Sequence, residues 1–149
     1  MKSLILLLAL LISISAQASD TCIYSGMYNV YDVDANGKVD SNDSYIVILG
    51  LFGYSDDSIK ATLSGRYVNR NRFNTYINNI KFLGYLDING DGISDALSDG
   101  MILHRFLLGV RGDALADGLV SANSLRKTGR ELEDRIVANV LNVSSLRCY

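Results

Sequence analysis

Two acidic stretches constrain this chain more than any other feature. DVDANGKVDSND occupies residues 32–43 and DINGDGISDALSD occupies residues 87–99. Four Asp residues in such a short stretch repel one another unless solvent disperses them or a cation sits among them. Aligning Asp43 with Asp99 gives a gapless downstream match at an offset of 56: Ile46 meets Ile102, Gly53 meets Gly109, Asp57 meets Asp113, Leu63 meets Leu119, Arg70 meets Arg126 and Ile80 meets Ile136. Upstream, Asp32 meets Asp87 at an offset of 55, so the second stretch carries one extra residue before its last carboxylate. The pattern predicts an internal repeat of about 55 residues, with units near 31–84 and 85–143.

Both units predict the same order of elements, and the expected fold is mainly α. An acidic loop opens a helix, expected over 44–52 or 100–108, and a Gly suited to a helix end follows. A short helical stretch comes next, near 57–63 or 113–119. A longer amphipathic helix closes each unit. Phe73, Tyr76, Ile77 and Ile80 mark its apolar face in the first copy, where Gly84 ends it. In the second, Thr128 and Glu131 are spaced as a capping box, with Leu132, Ile136 and Val140 four apart.

The spacing inside the acidic stretches suits a hard divalent cation. The first fits D-x-[DN]-x-[DN]-G-x5-E, with Asp43 in place of the final Glu. Ca2+ takes six to eight oxygens at about 2.3–2.6 Å. Asp32, Asp34 and Asn36, on alternate residues, can converge on one point, and Gly37 permits the sharp turn after them. The Lys38 carbonyl and Asp40 add oxygens, and Asp43 closes the shell from the first turn of the helix. The second set is Asp87, Asn89, Asp91, the Ile93 carbonyl and Asp95, with Gly92 at the turn. Strict counting closes it with Ser98, whereas the repeat register closes it with Asp99 after a one-residue bulge. The loops hold eight of the sixteen acidic residues, which favours two bound Ca2+ over the alternative of Asx-rich turns that merely cap helices. Zinc is disfavoured because neither cluster has a His or Cys, and a near-complete protein oxygen cage fits Ca2+ better than Mg2+.

The remaining composition narrows location and function. MKSLILLLALLISISAQA, residues 1–18, has a Lys2 start, an apolar run and an A-x-A end, which predicts a cleaved secretory leader rather than a membrane anchor. Without Lys2, 13 basic residues face 16 acidic ones and the net charge moves from −2 to −3. That balance gives no general attraction to nucleic acid or anionic membranes, and no later segment is long and apolar enough to span a bilayer. Cys22 and Cys148 flank the mature region. In an oxidising compartment they are expected to pair, worth on the order of 4 kcal/mol in the loop-entropy model; free thiols or an intermolecular link are the alternatives. A catalytic constellation is missing: His104 is the one His and lies in an apolar stretch, Glu131 and Glu133 fall on different helix faces, and most Asp residues are in the loops. The basic residues Arg66, Arg70, Arg72, Arg126, Lys127 and Arg130 read as a solvated face beside the long helices. A non-catalytic protein is expected.

The two units resemble dockerin repeats, the calcium-binding relatives of EF-hands that lack the incoming helix. DVDANGKVDSNDSYIVIL is similar to the dockerin loop and helix start, and ILHRFLLG after Asp99 resembles the dockerin helix in which a basic pair, here His104 and Arg105, precedes an aromatic residue. The resemblance implies one dockerin-like domain over 19–149 with a pseudo-twofold pair of calcium sites. It also implies possible docking to a cohesin module through Ser41, Asn42, His104 and Arg105. The chain departs from that family in the distance between its loops, in Ile48 and Leu49 at the basic-pair positions of the first copy, and in Ala96 and Leu97 opposite Ser41 and Asn42. Three functions follow as expectations: a secreted calcium-stabilised interaction module, a true dockerin serving cohesin-dependent assembly in polysaccharide degradation, and a small secreted enzyme with structural calcium.

Overall fold

A computed structural model describes residues 29–54, 59 and 70–142. The leader, Cys22, Cys148 and nearly all of the expected 57–63 helix lie outside the described residues. Among those residues the secondary structure is helical, without strands. The elements are α1 (Ser41–Leu51), α2 (Arg70–Phe82), a π-helical turn (Ala96–Gly100) running directly into α3 (Met101–Leu107), α4 (Asp113–Ala116) and α5 (Gly129–Asn142).

Helices α1 and α5 begin where the sequence supplies a cap. Asp40 caps α1 by accepting from the Asn42 N–H, and Asp43 returns the bond by accepting from the Asp40 N–H, a capping box built from two Asp residues. Thr128 and Glu131 form the reciprocal pair before α5. Helices α1 and α3 end alike: Tyr54 N–H donates to Leu49 O and Val110 N–H to Arg105 O, the long-range bond of a Schellman turn.

The core joins the acidic loops to these helices. Tyr31 and Val33 from the first loop and Leu86 and Ile88 from the second are buried with Ile46, Val47, Phe73, Tyr76, Ile80, Ile102, Leu103, Leu132 and Ile136. The helical faces expected of α2 and α5 are therefore the buried ones. Helix α1 packs against the π-turn, α3 and α2, while α5 packs against α4 and α3. The α1–α2 approach is close at Gly50, where an added Cβ would lie 3.1 Å from Ile77 Cγ1 and 3.3 Å from Phe73 Cζ. The α1–α3 crossing is closer still at Gly100, where a Cβ would lie 2.8 Å from Ile48 Cγ1. No helix among the described residues is long and apolar enough to cross a membrane.

Candidate metal centres

The first loop gathers three carboxylates that α1 and the core hold in place. Asp32, Asp34 and Asp43 are all buried, and each offers an oxygen within 4.8 Å of the others. Asp32 accepts from the Asn36 N–H at 3.1 Å and from the Gly37 N–H at 3.0 Å, which wraps the chain round its carboxylate. Gly37 has φ +88°, a left-handed turn that a Cβ would strain. Asp43 accepts from Val33 N–H at 2.8 Å, Asp34 N–H at 3.3 Å and Asp40 N–H at 2.9 Å. Asn36, Lys38 and Asp40 are exposed at the outer edge.

The second loop repeats this hydrogen bonding with different residues. Asp87 accepts from Gly90 N–H at 2.8 Å and Gly92 N–H at 3.2 Å. Asp99 accepts from Ile88 N–H at 2.8 Å, Asn89 N–H at 3.0 Å and Asp95 N–H at 3.1 Å. Those donors match the three on Asp43 residue for residue. The amide and carboxylate have changed places: Asn36 Nδ2 donates to Asp34 at 2.8 Å, and Asn89 Nδ2 donates to Asp91 at 3.2 Å.

The π-turn accommodates the extra residue. Gly100 N–H reaches back five residues to Asp95 O at 3.0 Å, so the widened turn carries an additional residue without displacing Asp99. Ser98 instead places its hydroxyl 2.6 Å from Asp95 Oδ2 and 3.3 Å from Asn89 Nδ2. Its counterpart Asn42 contacts Asp34 at 3.1 Å in the first loop.

Burial sets the electrostatics. It raises the pKa of Asp43 and of Asp99 to about 6, against the opposing effect of the backbone N–H groups each accepts. Asp32 is raised as well, by burial first and by neighbouring Asp34. Asp95 moves down: burial is the largest single influence and raises it, but the Ser98 hydroxyl and the Ser98 and Leu97 N–H groups together outweigh that. Buried carboxylates with raised pKa favour a partner that restores the charged form, and a divalent cation does so. The donor set, all oxygen, fits Ca2+.

The chain matches no protein-family model, no curated protein and no solved structure.

Among the residues named for partner docking, His104 Nδ1 lies 2.9 Å from Ser44 Oγ and Arg105 donates to the carbonyls of Ala114 and Asp117. Asn42 contacts Asp34, and the Ser41 carbonyl accepts from Ser44. Two further groups bearing on the loops had no local sequence signal. Arg126, expected on a solvated face, is half-buried: its N–H donates to Asn89 O at 2.9 Å and its Nη2 to Asp87 O at 3.4 Å. Asn139 joins the residues that enter the two loops. Its Nδ2 donates to Tyr31 Oη at 2.6 Å and to Tyr85 O at 3.0 Å, while Tyr31 Oη also donates to Tyr85 O. Both contacts cross long stretches of chain, which local periodicity does not register.

Proposed function

We propose that this protein is a secreted, non-catalytic calcium-binding module whose two acidic loops each hold one Ca2+. The carrying observation is the matched pair of buried carboxylates, Asp43 and Asp99, each receiving three corresponding backbone N–H groups. In this reading the first ion is held by Asp32, Asp34, Asn36, the Lys38 carbonyl, Asp40 and Asp43. The second is held by Asp87, Asn89, Asp91, the Ile93 carbonyl, Asp95 and Asp99, with Asp99 rather than Ser98 closing the shell. The Cys22–Cys148 pair belongs to the same proposal, as a bridge between the ends of a secreted domain.

A repeated two-unit, dockerin-like architecture is part of the proposal. The α1–α3 crossing supports it. Ser44 of α1 meets His104 of α3, and Ile48 of α1 meets Gly100 at the start of α3. At the repeat offset of 56, Ser44 corresponds to Gly100 and Ile48 to His104. One contact is therefore the other with its partners exchanged, the signature of a local pseudo-twofold axis. Docking to a cohesin-like or other cell-surface partner remains the more specialised form of this reading.

Calorimetric titration of metal-free protein tests the core claim. Two Ca2+ per chain are expected, falling to one when Asp32→Ala or Asp87→Ala is introduced. A stoichiometry near zero overturns the proposal.

A further inference from the structure

Both loops contain the dipeptide Asn-Gly, at 36–37 and 89–90, and the fold places the two in opposite surroundings. In this dipeptide the backbone nitrogen of Gly can attack the Asn side-chain carbonyl, since Gly presents no side chain to shield it. We propose that Asn36 is a self-modifying position in the first loop, that Asn89 is protected by burial, and that a cation bound in the first loop guards Asn36. The last of these rests on the calcium reading.

The chemistry requires water alone. The Gly37 nitrogen bonds to Asn36 Cγ and gives its proton to water; the Cγ–Nδ2 bond breaks, and ammonia leaves. Water then opens the five-membered succinimide at either carbonyl, leaving aspartate or isoaspartate at 36. Nothing is oxidised or reduced.

Local geometry is common to the two dipeptides. Asn36 Oδ1 accepts from Lys38 N–H at 2.8 Å, and Asn89 Oδ1 accepts from Asp91 N–H at 2.9 Å. This Asx turn folds each side-chain carbonyl forward over the following peptide and polarises its carbon. Each Gly N–H also donates to the first Asp of its loop, Gly37 to Asp32 and Gly90 to Asp87.

Their environments separate them. Asn36 and Gly37 are exposed, and nothing lies within 4 Å of a Cβ built on Gly37. Asn89 is 1% exposed, and Gly90 is buried beneath Leu125 and the Arg126 guanidinium. Ring closure needs the peptide to rotate and water to carry ammonia away. A close-packed site denies both, so Asn89 reacts only after local opening. A cation held by the Asn36 side-chain oxygen and the Lys38 carbonyl would grip the chain on both sides of Gly37 and stop the same rotation.

The products change the site that the reaction starts from. Aspartate at 36 gives the first loop a fifth carboxylate. Isoaspartate adds a methylene to the main chain between Asp34 and Gly37 and spoils the alternate-residue spacing on which convergence depends. Loss of the cation thus opens a one-way alteration of the first site alone.

Peptide mapping of the folded protein aged at mildly alkaline pH, with isoaspartate labelling, tests this in chelator, in Ca2+ and in denaturant. The expected result is amide loss at Asn36 but not Asn89 in chelator, suppression of that loss by Ca2+, and similar loss at both positions in denaturant. Equal rates at the two positions in the folded protein, or none at Asn36, overturn the proposal. Calorimetry on the same samples keeps it separate from the calcium reading. Unsuppressed loss at Asn36 despite measured Ca2+ binding overturns the guarding step. Absence of Ca2+ binding defeats the proposed function, while faster loss at Asn36 than at Asn89 in chelator still upholds the burial argument. Asn36→Gln lengthens the side chain and should abolish the product.

Discussion

Ser44 Oγ and His104 Nδ1 lie 2.9 Å apart, which ties the first turn of the helix after one acidic loop to the helix after the other. Ser44 is fully buried, and its hydroxyl proton goes to Ser41 O at 2.9 Å. The Ser44 hydroxyl thus bridges the Ser41 carbonyl and the imidazole. Ser44→Ala and His104→Gln should each cost about 1 kcal/mol of stability. The double mutant should cost less than their sum, with a coupling of about 0.5 kcal/mol or more by denaturant unfolding.

Asp99 carries a structural role and a proposed ligand role, and two substitutions separate them. Asp99→Ala leaves three backbone N–H groups without their acceptor and should destabilise even the chelated protein by about 3 kcal/mol or more. Asp99→Asn keeps one acceptor oxygen and removes the buried charge, so chelated stability should change less while one Ca2+ site is lost. Ser98→Ala should leave the calcium stoichiometry at two per chain. If Ser98→Ala removes a site and Asp99→Asn does not, the assignment of the closing ligand is reversed.

Acid should act oppositely on the two forms of the protein. Asp43 and Asp99 have folded, metal-free pKa values of about 6, above the ordinary 3.8. The metal-free folded state thus binds more protons than the unfolded chain between about pH 4 and 6. The contribution of these two groups to its stability is greatest below that window and is lost as pH rises through about 6. Calcium needs the same groups ionised, so its contribution should grow over the same rise. Melting curves in chelator and in Ca2+ should therefore diverge from pH 5 to pH 7. Parallel curves would remove these carboxylates from the calcium site.

Tyr31 lies fully buried just before Asp32, and burial raises its pKa despite the Asn139 amide bonded to its hydroxyl. Tyr31→Phe deletes the hydroxyl between Asn139 and the Tyr85 carbonyl. Asn139 keeps its own bond to Tyr85 O, so the loss should be about 1 to 2 kcal/mol. Thermal unfolding in chelator measures it.

The amino-acid sequence by itself determined what short range can encode. Alternating Asp and Asn residues before Gly37 and Gly92 fix where the chain turns. The Thr128–Glu131 pair sets the start of α5, and the spacing of Phe73, Tyr76, Ile77 and Ile80 marks the buried face of α2. Such features depend on residues a few positions apart, where backbone geometry alone dictates who meets whom. The one-residue difference between the loops was also legible, as an offset that changes from 55 to 56. Only the tertiary structure decided how that residue is absorbed, since a π-turn is favoured here by the Ile88 and Asn89 N–H groups that hold Asp99 from the far side of the loop. It likewise decided that Arg126 leaves solvent to cover Gly90, that Ser44 finds His104, and that Asn139 links the entrances of the two loops. Each of those contacts joins segments distant in sequence, and packing the shared core brings them within reach; no local pattern records which polar group will be waiting there.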